Sequence, residues 1–210
     1  MTNTEPHSVL DSYAEGLRYF MGEGKLNNAL ARLIADLREH EIDYVIIGAI
    51  ALMAYGYPRF TEDIVLILEA DGLDKFHQEL IGLGYSPAFQ GARKRFRSTG
   101  DGTPIEVIAA GEYPGDGKPK PVSFPKPSEA FVEIDGVKFP TLEKLIELKL
   151  ASGMTAPDRL KDLADVQELI KIHGLSNEFA EELNPYVRKT FLELLEAVQR
   201  GSSNDLEEQQ

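Results

Sequence analysis

Residues 44–68 read YVIIGAIALMAYGYPRFTEDIVLIL, and this stretch decides how the chain is understood. Tyr44–Ile47 is a short β-branched run of the kind that forms a buried strand, and Gly48 ends it. The residues AIALMAY then form a compact helical stretch closed by Gly56, YPRFTE is a loop, and Asp63–Glu69 is a second buried strand. The order is strand, glycine turn, helix, basic loop, and a strand that opens with an acid. A glycine at the turn lets a phosphate approach free N–H groups and the positive end of the following helix. Side chains alternate along a strand, so the position sharing a face with Asp63 is 65, and it holds Val.

Working outward, Ser8–Phe20 and Leu26–His40 carry apolar residues at helical spacing after a loose start over residues 1–7. Leu73–Leu83 reads as a helix stopped by Gly84. Arg93–Thr99 and Thr103–Ala110 flank Gly100-Asp101-Gly102, a hairpin signal. With Asp101 and Gly102 as a two-residue turn, Arg97 falls opposite Glu106 and Ser98 opposite Ile105. Phe96, Ile105, Val107 and Ala109 then share an apolar face, and Arg93, Arg95, Arg97 and Glu106 share the other. Residues 111–127, rich in Gly, Pro and Lys, read as an exposed loop, and FVEIDGVKF repeats the strand, Asp-Gly, strand pattern. From Thr141 the chain is helical: Leu142–Ser152, Pro157–Ile172, Ser176–Leu183 with a serine cap, and Pro185–Gln199.

The expected fold class is α/β, a mixed sheet flanked by helices. The expected division is a core over 8–140 with two N-terminal helices, a helical subdomain over 141–200, and a disordered tail over 201–210.

Composition bounds the function. With 42% hydrophobic and 27% charged residues spread along 210 positions, the chain belongs to the globular class. No apolar run approaches the ~20 residues that span a bilayer, and the start lacks a signal-peptide pattern, so a soluble, cytoplasmic protein is expected. A net charge of −13 repels polyanions overall, so local clusters of Arg and Lys are what could hold a phosphate-bearing ligand. The absence of cysteine removes thiolate nucleophiles and cysteine metal sites. His7, His40, His77 and His173 lack metal-ligand spacing, and neither a G-x-S-x-G elbow nor a P-loop is present.

The stretch Gly48, Ala49, then Arg59, Phe60, Thr61, Glu62, Asp63, Ile64, Val65, Leu66 resembles the nucleotidyltransferase superfamily that shares its catalytic core with DNA polymerase β, and within it the small bacterial members grouped with type IV abortive-infection toxins. The similarity continues into TLEKLIELKLASGMTAPDRLKDLADVQELI, residues 141–170. What it implies is transfer of a nucleoside monophosphate from an NTP to a hydroxyl or phosphate acceptor, with two Mg²⁺ (or Mn²⁺) ions clamping the attacking and leaving oxygens. An RNA or protein acceptor and a neutralising protein partner are implied by family alone. Carried over by position, Asp63 and Glu106 match catalytic metal ligands, while Gly48, Ala49, Arg59, Thr61 and Lys149 match positions that hold the triphosphate. Arg97, on the acid-bearing face of the hairpin, is assigned from that register to the same nucleotide-binding set.

Two departures bear on this. The family has an acid where Val65 stands, one that bridges both ions, and Ser or Gly where Ala49 stands. Glu62 faces the opposite way and cannot substitute. The bland readings are a solvated stripe for Arg93, Arg95 and Arg97, an ion pair between Glu106 and Arg97, and a surface lysine for Lys149, with Arg159, Asp162 and Asp165 simply meeting water. The rival to an enzyme is a noncatalytic protein that keeps the fold to bind a nucleotide or a protein partner.

Overall fold

The structure, a computed structural model, describes residues 24–207; the helix expected over Ser8–Phe20 lies outside them. Five strands form one mixed sheet in the order β1-β2-β5-β4-β3: Val45–Ile47, Ile64–Leu68, Pro104–Ala109, Arg95–Ser98 and Tyr85–Pro87. β1 and β2 are antiparallel, β2 and β5 parallel, and β5-β4-β3 antiparallel. The α/β class and the mixed sheet are as expected.

One face of the sheet is the main core. Leu33 and Leu37 of α1 (Lys25–Glu39), Leu52 of α2 (Ala49–Ala54) and Phe76 of α3 (Ala70–Glu79) pack in one cluster with Ile46, Ile64, Leu66, Phe96, Ile105 and Val107 of the strands. Burying side chains of this size contributes about 1.5–3 kcal/mol each, which makes this layer the main source of stability. The opposite face carries a smaller apolar cluster of Val45, Ile47 and Ile67, joined by Val65, Ile108, Phe124 and Phe131.

A two-stranded ribbon, β6 (Phe131–Ile134) and β7 (Val137–Pro140), turns at Asp135-Gly136, both with positive φ as the Asp-Gly signal requires. Thr141 then caps α4 (Leu142–Thr155) by accepting a 3.3 Å hydrogen bond from the Lys144 N–H. α5 (Leu160–His173) follows a 3₁₀ turn over Pro157–Arg159 and ends at Gly174 in the left-handed conformation, and α6 runs Pro185–Glu207. Among the described residues no helix is long and apolar enough to cross a membrane.

Four local expectations are corrected. α3 starts at Ala70 and ends at Glu79, not Leu73–Leu83, and the freed chain turns through Gly82 and Gly84 into β3, an outer strand with no alternating pattern to betray it. The hairpin loop is longer than two residues: the Ser98 N–H donates to the Thr103 carbonyl and the Gly102 N–H to the Ser98 carbonyl, while the Asp101 carboxylate accepts from the Thr103 N–H. The register therefore moves by two, placing Arg95 opposite Glu106 and Phe96 opposite Ile105. A shift of two preserves side-chain parity, so the faces stay as expected although the partner of Glu106 changes. Finally, Ser176–Leu183 is only a 3₁₀ turn over Glu178–Glu182, because the Ser176 hydroxyl donates to the Glu178 carboxylate instead of capping backbone N–H groups. α6 also continues through Gly201 to Glu207, past the expected end at Gln199.

Candidate active site

Strand register assembles the site. Ile47 pairs with Val65, Val65 with Glu106, and Glu106 with Arg95, so one row of side chains crosses four strands on the same face. Asp63, two residues before Val65, extends this face beyond the start of β2. Gly48 follows Ile47 directly, with φ +74 and ψ −144, a conformation that side-chain-bearing residues rarely adopt. A Cβ built on Gly48 would lie 3.5 Å from Val65 Cγ2, so the glycine turn and position 65 are in contact.

A cavity of about 360 Å³ opens over this face. Gly48, Ala49, Arg59, Thr61, Asp63, Glu106 and Lys149, seven residues singled out from the sequence, all line it. Arg97 does not. It lines a neighbouring cavity of about 230 Å³ that also reaches Asp63 and Glu106. The larger cavity has a wall that sequence reasoning missed: Glu112, Tyr113, Pro114, Gly115 and Phe124, from the segment expected to be an exposed loop. That segment is tied down by Lys120, whose ammonium donates to the Pro114 carbonyl at 2.5 Å and to the Thr155 hydroxyl at 3.2 Å. The signal was Lys120 in a Pro/Gly-rich run, indistinguishable in sequence from a solvated lysine.

Behind the cavity is a charged network. Lys149 donates to Asp162 at 2.9 Å and to Asp165 at 2.7 Å, Ser152 donates to Asp162 at 2.7 Å, and Arg59 pairs with Asp165. Lys149, Asp162 and Asp165 are all buried, so the reading of them as solvated helix-surface residues does not hold. Burial works to raise the Asp162 pKa, but the Lys149 charge and the hydrogen bonds from Lys149 and Ser152 outweigh it and leave the carboxyl below its ordinary value. Asp165 serves two cations on different elements, so it fastens the loop that presents Thr61 and Asp63 to the helical layer. The Thr61 hydroxyl in turn donates to the Asp63 carboxylate.

The metal expectation meets a less favourable arrangement. Two-ion chemistry needs carboxylates grouped on one strand face. Here Asp63 and Glu106 flank a hydrocarbon, Val65, which packs with Ile47, Ile67 and Ile108. Glu106 is drawn toward Arg95, with 3.5 Å between charged atoms. Among the described residues no group of three or more His, Asp or Glu side chains could hold a metal ion. The residues present do not fit a two-ion centre. The helix after Gly48 has only six residues, so its dipole adds little, and what Gly48 offers a phosphate is close approach of backbone. Three of the four histidines are within the described residues, and each sits within hydrogen-bonding distance of a backbone carbonyl, at Asp36 for His40, Arg93 for His77 and Tyr55 for His173.

No family model matches the chain, and no curated protein matches it. Solved structures do. The crystal structure of ANT(2″)-Ia in complex with adenylyl-2″-tobramycin superposes with a TM-score of 0.52 at 15% identity, covering 79% of this chain and 96% of that one. The solution structure of the antibiotic-resistance factor ANT(2″)-Ia gives 0.52 at 15% identity, over 83% and 95%. An antigenic nucleotidyltransferase-like protein from Paracoccidioides brasiliensis is similar at a TM-score of 0.44 and 18% identity, over 69% and 75%. At these identities the likeness concerns the fold alone, and the fold is the one that ANT(2″)-Ia has.

Proposed function

We propose that this protein binds a nucleoside triphosphate in the 360 Å³ cavity and that nucleotidyl transfer is disabled at Val65. The observation that carries this reading is the row Ile47, Val65, Glu106, Arg95: the position between the glycine turn and the second acid holds hydrocarbon. The cavity itself suits an anion better than the molecule does as a whole. Its lining has four acids, Asp63, Glu106, Glu112 and Asp162, and four cations, Arg59, Lys149, Arg159 and Lys161, so its formal charges cancel within a chain of net −13. An anionic ligand is therefore repelled less here than over the surface in general. Gly48 lets backbone approach the phosphates, with Ala49, Arg59, Thr61 and Lys149 around them.

A second reading, a transferase that works with Asp63 and Glu106 as its only metal ligands, is favoured by one observation: both carboxylates line the same cavity. Its acceptor would be RNA or protein, and a neutralising partner would belong to the toxin-like form of the same reading.

The test is to measure NTP binding with Mg²⁺ and with chelator, then to incubate labelled NTPs, Mn²⁺ or Mg²⁺ and total cellular RNA and protein with the natural chain and with Val65→Asp. Binding that survives chelation, with label transfer only by Val65→Asp, supports the proposal. Transfer by the natural chain selects the second reading, and absence of NTP binding removes both.

A further inference from the structure

The smaller cavity shares Asp63 and Glu106 with the larger one, and the rest of its lining is of a different kind. Phe89, on the loop that leaves β3, is 60% exposed at its edge, a large aromatic surface left in water. Arg95 and Arg97 also line it, both exposed and on the same strand face. They belong to the run Arg93-Lys94-Arg95-Phe96-Arg97, four cations in five residues of a chain whose net charge is −13. Their present contacts are loose. Arg95 reaches Glu106 at 3.5 Å, and Arg97 reaches the Gly102 carbonyl at 3.4 Å, both at the outer limit of hydrogen bonding. Neither guanidinium is held in a short, well-formed pair that a phosphate would have to break.

An exposed aromatic beside two loosely held guanidinium groups suits a ligand with one planar face and one phosphate. We propose that this cavity binds the terminal nucleotide of a single-stranded nucleic acid, its base against Phe89 and its phosphate at Arg95 and Arg97. The inference rests on the reading of the larger cavity as an NTP site, and it names what would lie beside that NTP. The overall negative charge confines such binding to one or two nucleotides, because a longer strand leaves the cationic run and meets a repelling surface.

The test uses the full chain and fluorescently labelled RNA and DNA trinucleotides, with NTP affinity measured separately. Phe89→Ala should weaken the trinucleotides about tenfold, Phe89→Trp should retain them, and NTP affinity should stay as it is, since Phe89 does not line the larger cavity. Arg97→Gln should lower the dependence of trinucleotide affinity on salt by about one charge. Equal binding of both sugars supports recognition of base and phosphate, and preference for RNA supports it with a contact to the ribose hydroxyl. NTP binding without trinucleotide binding, or trinucleotide binding indifferent to Phe89→Ala, overturns this inference and leaves the first reading standing. Trinucleotide binding that depends on Phe89 without NTP binding supports it and removes the first reading.

Discussion

Gly48 and Val65 touch across the β1–β2 ladder: a Cβ on the glycine would sit 3.5 Å from Val65 Cγ2. The turn that would receive phosphate and the position that would hold a bridging carboxylate are thus in contact, and the second of them is apolar.

Replacing Val65 by Asp should create label transfer above background, because the new carboxylate lies between Asp63 and Glu106. The same change puts a charge against Ile47, Ile67 and Ile108, and should lower stability by about 1–3 kcal/mol. Chemical denaturation reads the cost. Adding Glu106→Gln to Val65→Asp should remove the transfer again, and persistence of transfer would count against Glu106 as a ligand.

Gly48→Ala should cost about 1–3 kcal/mol through its backbone, not its contact, since 3.5 Å is ordinary van der Waals distance while φ +74 with ψ −144 is a strained region for alanine. NTP affinity should fall with it, because relieving the strain shifts the turn whose backbone is proposed to approach the phosphates. A denaturation midpoint and a binding isotherm on the same protein separate the two effects.

Asp165→Asn should be among the more damaging single changes, about 3–5 kcal/mol, because it strips Lys149 and Arg59 of a shared buried partner. NTP affinity should fall in parallel, since the Arg59 loop also carries Thr61 and Asp63. The acid limb of stability should respond at Asp162. Its folded pKa lies below the unfolded value, so its contribution is present above that value and is lost as pH falls through the folded pKa. Lys149→Met should remove this acid dependence, measured as unfolding free energy from pH 5 downward.

Tyr55 ends α2, donates a 2.6 Å hydrogen bond to the Pro140 carbonyl and meets His173 edge-on. Burial, with the Glu143 charge adding to it, raises its pKa from 10.0 to about 12. The neutral phenol is favoured by folding, so its contribution is complete below the unfolded value and is lost as pH rises from 10.0 to about 12. Tyr55→Phe should flatten that alkaline loss relative to the natural chain and cost about 1 kcal/mol at neutral pH for the missing hydrogen bond. An unchanged alkaline slope would place the titrating group elsewhere, with Tyr85, raised by burial and by its bond to Asp36, the next to examine.

Much of the site was legible because it depends on local order and strand parity. Strand, Gly48, helix, loop and Asp63 are consecutive, and the face shared by positions 63 and 65 follows from alternation alone. Glu106 was identified by an acid on an otherwise apolar strand, and the register of β2 with β5 places it beside Val65. Its hairpin partner was misread because turn length depends on how the Asp101 side chain binds backbone, which Gly-Asp-Gly does not specify. Lys149 is assigned to the triphosphate by resemblance, whereas Asp162 and Asp165 read as charged helix surface, and their joining in one buried cluster emerges only when α4 and α5 pack and exclude water from all three.

The amino-acid order alone therefore determined the α/β class, the glycine turn, the acid-bearing strand and the valine at position 65 that shares the face of Asp63, all of which follow from periodicity and neighbouring residue types. Tertiary structure alone decided which residues close the cavity, that Arg95 and not Arg97 faces Glu106, and that Asp165 joins Arg59 to Lys149. Those relationships link positions up to 106 residues apart, and they depend on how the layers pack, a nonlocal balance of burial and charge pairing that no sequence window contains.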